Sequence, residues 1–197
     1  VPVDYQSKYP YDKSGKMGAE PETSFFDPLI ALSTIAAQTS TLRLGTGINI
    51  LSQANPLLLA KQVASLDALS NGRFMLGVGI GWLQEEFSAM NVPFERRGAR
   101  FDDYITAMRK IWSGEQKPMP LVIGGIKGKI HQRIAHFGNG WFAPTTDAGE
   151  LALHLGKIKI SCEEIDRDFS EIEITCMWPG TGGKDAVKIL EDVGVHR

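Results

Sequence analysis

The sequence predicts an α/β fold with a parallel sheet, of the barrel type in which the functional site lies where the strands end. Apolar runs typical of strands buried on both faces alternate along the chain with helical patterns. Three of the predicted strands also finish in glycine, at the end where a (β/α)8 barrel carries its site. Together these observations predict a TIM barrel.

The first two predicted helices begin with the same signal. Asp27-Pro28 and Asn55-Pro56 each place a capping side chain before a proline at the first helical position, where the missing N–H costs nothing. Between these helices, the stretch "LRLGTGINIL" (42–51) is a short apolar run that predicts a buried strand.

The rest of the chain continues the same alternation of strand and helix. The further predicted strands are "RFMLGVGIG", "PLVIGG", "GWFAP" and "IEITCMW", and the further predicted helices are "FDDYITAMRKIW", "KIHQRIAHFGN" and "KDAVKILEDVG". Each apolar run is short enough for a strand, and the helix "FDDYITAMRKIW" carries its apolar residues on one face.

Composition excludes several classes of function. The chain has 197 residues, of which 43% are hydrophobic and 22% charged, and its formal charge is -2. This balance gives no electrostatic case for binding nucleic acid or an anionic membrane. No apolar run approaches the roughly 20 residues that span a bilayer. Cys162 and Cys176 form no metal-binding pattern, so we expect free thiols in a reducing compartment, the cytoplasm.

The glycine-rich stretch "GVGIGW" (77–82) does not match the two common nucleotide-binding loops. A Rossmann fingerprint needs glycine at its sixth position, where this chain has Trp82. A P-loop needs Lys followed by Ser or Thr after its last glycine, and that pair is absent from the motif.

The remaining interpretation is a strand whose end has been reduced to glycine, so that a flat ring system can lie against the backbone. The stretches "LGTGI" (44–48) and "IGG" (123–125) repeat this feature on two other strands. The alternative is that these glycines serve only turns and bulges.

Several polar residues allow two interpretations each. Glu85 and Glu86 open a helix, where acids favour the helix dipole, and proton transfer is the other possibility. Arg96, Arg97 and Arg100 have either a surface role or contact with a phosphate or substrate acid.

Two more candidates lie in the second half of the chain. His131 and His136 are five residues apart and off one helical face, which argues against a shared metal. In "PTTD" (144–147), the hydroxyl groups, including that of Thr145, either hold a phosphate or cap the next helix.

Three stretches that occur in order carry a family resemblance: "LGTGINIL", "NPLLLAKQVASLDALSNGRFMLGVGIGWLQEEF" and "FERRGARFDDYITAMRKIW". They resemble the bacterial-luciferase-like superfamily, in particular the deazaflavin-dependent oxidoreductases that use coenzyme F420. The similarity runs from about Val1 to Pro144 and is weaker beyond it. It implies a luciferase-like TIM barrel, incomplete in this chain, with 1–197 as one partial domain.

The resemblance also implies where a cofactor would bind. The family's third strand often carries a bulge with a non-prolyl cis peptide behind the deazaflavin, which we expect at Gly47-Ile48. The family's glycine-rich fourth strand and its phosphate-binding turn match two further glycine stretches of this chain. The expected cofactor-binding residues are Thr46, Gly47, Ile48, Gly77, Gly79, Gly81, Arg100, Gly124, Gly125 and Thr145.

This chain departs from the family at several points. The sugar-phosphate dehydrogenase branch has an acid where this chain has Trp82, so that branch's substrate and mechanism are not carried over and no catalytic residue is assigned. The first strand and helix, an insertion after Trp112 and the last strand have no counterpart here. We therefore expect the working protein to have further residues before Val1, after Arg197 and near Glu115.

The function expected from the resemblance is hydride transfer between coenzyme F420 and a small organic substrate. An FMN-dependent monooxygenase is the alternative within the enzymes, because the two cofactors share a ring shape and a ribityl phosphate. A non-catalytic barrel fragment or binding module is the alternative outside them. A homodimer is expected, with no metal.

Overall fold

Strands and helices alternate along the part of the chain that the computed structural model describes, residues 4–19, 22–114, 119–177 and 180–196. The described strands are β1 (Leu44–Gly45), β2 (Asn49–Ile50), β3 (Phe74–Gly79), β4 (Leu121–Gly124), β5 (Gly140–Ala143) and β6 (Glu173–Cys176). The described helices are α1 (Pro28–Gln38), α2 (Pro56–Leu69), α3 (Gln84–Ala89), α4 (Arg97–Trp112), α5 (Ile130–Phe137), α6 (Ala148–Glu163) and α7 (Gly183–Val193).

The strands pair in the order β1–β3–β4–β5–β6, and β2 also pairs with β3. The β1–β3 pair is parallel, with Leu44 opposite Phe74. The β3–β4, β4–β5 and β5–β6 pairs are parallel too, and Gly140 lies opposite Val122. These pairings, with a helix between each two successive strands from β2 onward, confirm the predicted α/β fold and its parallel sheet.

The chain divides into two compact units, which share β3. The first contains the described residues of 1–75 and 79–119, and the second those of 76–78 and 120–197. That 1–197 is one partial barrel domain stays a prediction.

The first unit has an apolar core between the helices and the start of β3. Phe74, Phe87 and Phe101 are almost completely buried, as are side chains of α2. The Trp112 Nε1–H donates to the carbonyl oxygen of Ala60 over 3.2 Å, which ties α4 to α2. Buried indole N–H groups need such a partner, and here the backbone supplies it.

Arg73 joins the helix ends of the first unit. Its guanidinium donates to the carbonyl oxygens of Ala36, Thr39, Leu42 and Ser70, over 2.7 to 3.0 Å. These carbonyls lie at or beyond the ends of α1 and α2, where helical acceptors have no partner within the helix. A single planar cation therefore satisfies several of them.

The second unit has its own core between the sheet and α5 and α6. Ile123, Ile134, Trp141, Leu151 and Ile158 are fully buried. Arg167 plays the part here that Arg73 plays in the first unit, because it donates to carbonyl oxygens at the end of α5.

The two helix starts predicted from a capping residue before proline are confirmed. The Asp27 side chain accepts hydrogen bonds from the N–H groups of Leu29 and Ile30, with Pro28 at the first position of α1. The Asn55 side chain does the same for α2.

The structure differs from prediction in three details. The expected single strand over 42–51 is two short strands, because residues 46–48 bulge out between them. Helix α4 begins at Arg97 rather than Phe101, since Arg96 has a left-handed backbone that starts the helix there. Helix α6 (Ala148–Glu163) was not predicted from the sequence. The predicted break near Glu115 lies outside the described residues.

Candidate functional site

In the first unit, the parallel strands β1 and β3 end at the same edge of the sheet. Between β1 and β2 the chain bulges at Thr46, Gly47 and Ile48. Thr46 is buried, whereas Gly47 is exposed and has no side chain, so its backbone faces solvent directly. The Gly47–Ile48 peptide bond is cis, as expected.

Gly81, two residues beyond the end of β3, has a structural reason to be glycine. Its φ is +79°, in the left-handed region. A Cβ there would lie 2.7 Å from Cε2 of Phe87 and 2.8 Å from Cγ2 of Ile50. The turn interpretation thus accounts for Gly81. Gly77 and Gly79 are buried within β3.

Trp82 lies in an aromatic cluster with the N-terminal segment of the same unit. Its ring meets that of Tyr5 edge-on at 5.7 Å and that of Tyr9 at 5.2 Å between centroids. Tyr9 also meets Tyr11 edge-on at 5.4 Å. Trp82, which stands where the sugar-phosphate dehydrogenase branch has an acid, therefore contacts the segment that precedes α1.

Glu85 holds the same segment by hydrogen bonds. Its carboxylate accepts from the N–H of Gln6 at 2.6 Å and from the N–H and hydroxyl of Ser7 at 3.0 and 2.6 Å. The Ser7 hydroxyl and the Gln6 N–H lower the pKa of Glu85 to about 2. A carboxylate held ionised in this way is a poor proton donor at neutral pH, so the contacts favour anchoring over proton transfer.

The arginines at the start of α4 contact backbone carbonyls. Arg97 donates to the oxygen of Gly81 at 3.1 Å, and its guanidinium lies 3.7 Å from the centre of the Phe94 ring. Arg100 donates to the oxygens of Ser52, Glu95 and Pro93. These contacts give Arg100 a loop-ordering role, and its predicted contact with a cofactor stays a prediction.

In the second unit, β4 ends at Gly124 and the chain turns before α5. Gly125 has a φ of +125°, which other residues rarely adopt. Its carbonyl oxygen accepts a hydrogen bond of 2.9 Å from Nε1 of Trp141. Helix α5 has no side-chain cap, and Lys127 and Lys129 are exposed beside its first turn.

Two histidines of the second unit form a pair that the sequence did not reveal. Nε2 of His131 and Nδ1 of His154 are 2.8 Å apart, and the rings stack at 5.1 Å. Burial, His154 and Lys157 together lower the pKa of His131 to about 4. Burial and Lys157 also lower the pKa of His154, so both rings are neutral at pH 7.

In the "PTTD" segment the side chain that caps α6 is the Asp147 carboxylate, whereas the helix-capping interpretation had assigned that role to the hydroxyl groups. Asp147 accepts from the N–H of Glu150 at 2.8 Å, and the Thr145 hydroxyl accepts from the N–H of Asp147 at 3.2 Å. The Thr145 hydroxyl keeps its own hydrogen for another acceptor.

Sequence reasoning thus identified glycines near the strand ends but missed the contacts between distant segments. His131 contacts His154, 23 positions away, a partner that the sequence analysis did not consider. No local pattern identifies such a pair. Among the described residues, no cluster of three or more potential metal ligands occurs. Within that same portion, no helix is long and apolar enough to cross a membrane.

The parallel strands, the helices between them and the glycine-terminated strands define an α/β protein with its candidate site at the strand ends. Residues 12–191 match the family model of the luciferase-like monooxygenases. An uncharacterized protein of Mycobacterium tuberculosis, Rv0940c, is 30% identical over 214 aligned residues, which cover 98% of this chain and 74% of that protein. The chain belongs to the luciferase-like monooxygenase family.

Solved structures share this fold. The coenzyme F420-dependent tetrahydromethanopterin reductase of Methanopyrus kandleri matches with a TM-score of 0.67 and 20% identity, over 77% of this chain and 54% of that one. The oxygenating constituent of 3,6-diketocamphane monooxygenase from Pseudomonas putida, in complex with FMN, matches with a TM-score of 0.65 and 15% identity, over 75% and 51%. This chain spans about half the length of these two proteins.

Proposed function

We propose that the protein is an oxidoreductase of this family that binds coenzyme F420 and exchanges a hydride with a small organic substrate. The observation that carries the proposal is the bulge at Thr46–Ile48, which lies where the resemblance to the F420-dependent branch expects it. The bound deazaflavin would supply the hydride chemistry. The residues of this chain would bind and orient it.

The residues at the bulge fit a flat ring. Gly47 is exposed and presents backbone without a side chain, so a planar system can approach it closely. Thr46 beside it is buried, which fixes the bulge in the first unit. A rigid backbone next to a ring selects one orientation of that ring.

The turn of the second unit fits a phosphate. Backbone N–H groups at the uncapped start of α5 are suitable donors for an anion, and Lys127 and Lys129 add positive charge. The Thr145 hydroxyl has a hydrogen to donate. We assign Gly124 and Gly125 to this phosphate-binding role.

Titration of the purified protein with F420 and with FMN, followed by absorbance, tests the proposal. Tight binding of F420 and reduction of bound F420 by a substrate would support it. Preference for FMN, with oxygen consumption, would support the monooxygenase alternative, which the family membership and the FMN-bound relative favour. Binding of neither cofactor would leave the non-catalytic interpretation.

Gly79→Val probes the glycine-rich strand. If Gly79 leaves room for the cofactor, the variant loses cofactor binding while the folded protein persists. If the glycine is only structural, the melting temperature falls and binding per folded molecule is unchanged. Paired thermal melts and cofactor titrations distinguish the two cases, and Gly72→Ala, at an open surface turn, is the control.

We also propose a cytoplasmic homodimer. The support is the apolar surface of the first unit, where Phe26, Ile30 and Leu57 are 81%, 71% and 64% exposed. Large exposed apolar side chains of this kind are typical of a surface that contacts another protein.

A further inference from the structure

A chain of side-chain contacts lies behind the turn at Gly124–Gly125, in the second unit. Trp141 is completely buried, and its Nε1–H donates to the Gly125 oxygen. Its ring packs against that of His154 at 5.8 Å, and His154 is hydrogen-bonded to His131. The proposed phosphate role uses none of these three side chains directly.

The geometry of the peptide plane gives this contact a consequence. In a trans peptide the C=O and the following N–H point in opposite directions. The Gly125–Ile126 peptide bond is trans. Because the Gly125 oxygen is held towards the buried indole, the N–H of Ile126 is held away from it. One backbone donor of the turn thus has a fixed direction.

Fixing this donor matters because the turn itself is permissive. Gly125 and Gly128 both have positive φ, and glycine loses more conformational freedom on ordering than any other residue. A ligand that had to order the turn would bind more weakly, because part of its binding free energy would offset the conformational entropy lost by the turn. Because the hydrogen bond from Trp141 orders the turn when the protein folds, the loss of conformational entropy occurs before a ligand binds.

We propose that Trp141 is a positioning residue for phosphate, which aims the Ile126 N–H through the Gly125 carbonyl and is itself held by the His154–His131 pair. This inference rests on the proposed cofactor function. Both imidazoles are neutral at pH 7, so they can share one hydrogen bond and pack against the indole without bringing a buried charge to it.

Trp141→Phe tests the inference, because it keeps a ring in the core and removes the indole N–H. Trp112→Phe is the matched control, since Trp112 also donates its indole N–H to a backbone carbonyl, in the first unit. Dissociation constants are measured for four probes: FMN, riboflavin, F420 and the corresponding deazaflavin without phosphate.

The expected result is a loss of phosphate preference in one variant only. Trp141→Phe should weaken binding of the phosphorylated probe of whichever pair binds by about fivefold to tenfold, and leave its unphosphorylated partner unchanged. Trp112→Phe should keep the wild-type ratio. A merely structural role would weaken both members of the pair equally. In the ligand-free protein, hydrogen exchange at the Ile126 amide should be faster in Trp141→Phe than in Trp112→Phe.

Two outcomes separate this inference from the proposed function. Wild-type protein that binds none of the four probes would overturn the proposed function and this inference with it. Wild-type protein that prefers the phosphorylated probes, together with Trp141→Phe that keeps the same preference, would overturn this inference alone. Equal hydrogen exchange at Ile126 in the two variants would count against it as well.

Discussion

Two glycines of the first unit share a left-handed backbone but differ in their surroundings. Gly81 and Gly72 have φ values of +79° and +73°. A Cβ on Gly81 would collide with Phe87 and Ile50, whereas a Cβ on Gly72 would meet nothing within 4 Å. The sequence showed both glycines, but only contacts between distant residues reveal which one is constrained by packing.

Gly81→Ala should therefore cost more stability than Gly72→Ala. Both variants force alanine into a left-handed backbone, which costs of order 1 kcal/mol. Gly81→Ala adds overpacking, typically about 1–3 kcal/mol more. Urea unfolding of the two variants measures the difference, and equal free energies of unfolding would show that Phe87 and Ile50 yield without cost.

The histidine pair predicts how stability depends on pH. Both histidines have a pKa below the usual value of about 6.5, and that of His131 is about 4. The unfolded chain therefore takes up protons that the folded chain does not, in the window between about pH 6.5 and 4. Stability from these groups is complete above pH 6.5 and is lost as the pH falls through that window. The charged groups that act on the pair are Lys157 and Glu150.

Unfolding in urea at pH 7 and pH 5 tests this dependence. The double variant His131→Gln/His154→Gln should lose less stability between the two pH values than the wild type. His136→Gln, which changes an exposed histidine of the same helix, is the control and should behave as the wild type does. An equal loss in the double variant and the wild type would assign the pH dependence to other groups.

At the scale of elements, the helix starts were the most predictable feature and the strand limits the least. A cap is a local device, in which a side chain bonds to an N–H two or three residues away, so a short sequence contains it. The end of a strand depends on its partner strands. The bulge at residues 46–48 accordingly divides an apolar run that is continuous in the sequence. Helix α6 was not predicted from the sequence.

Asn55→Ala should lower the free energy of unfolding by about 1 kcal/mol, the usual worth of a helix cap. Helix α2 buries Leu59, Ala60, Val63 and Leu66, so the global unfolding transition senses its loss. Asp27→Ala removes the same kind of cap from α1, in which Ala36 is the buried residue. Because α1 contributes less to the core, this variant should lower the helical circular dichroism signal with a smaller change in the urea midpoint. Equal midpoint shifts would contradict this ranking.

At the scale of the whole molecule, the fold class was predictable from the sequence. Alternating strand and helix patterns indicate a parallel sheet covered by helices. The family motifs lie in contiguous stretches, and the comparisons confirm the family. The candidate site was less predictable. His154, Trp141 and the tyrosines that contact Trp82 come from segments far apart in the chain, and no spacing rule connects them.

The proposed homodimer predicts a mass near twice 21.6 kDa by light scattering. Ile30→Glu would place a charge in the exposed apolar region of α1 and should yield monomers, because an interface does not tolerate an unpaired charge. Leu153→Glu changes a side chain of similar exposure on α6 and should remain dimeric. A wild-type protein that is monomeric would overturn the proposed assembly.

The attachment of the N-terminal segment through Glu85 has a consequence for proteolysis. Residues 4–17 are held by hydrogen bonds to the Glu85 carboxylate, by the Gln84 N–H that donates to the Ser7 hydroxyl, and by edge-to-face contacts of two tyrosine rings with Trp82. Segments attached by a few hydrogen bonds and ring contacts open without global unfolding, and a protease acts on the open form. Lys8, Lys13 and Lys16 offer trypsin three cleavage points there. The rate of trypsin cleavage in this segment thus measures how often the hydrogen bonds of Gln6 and Ser7 to Glu85 are broken.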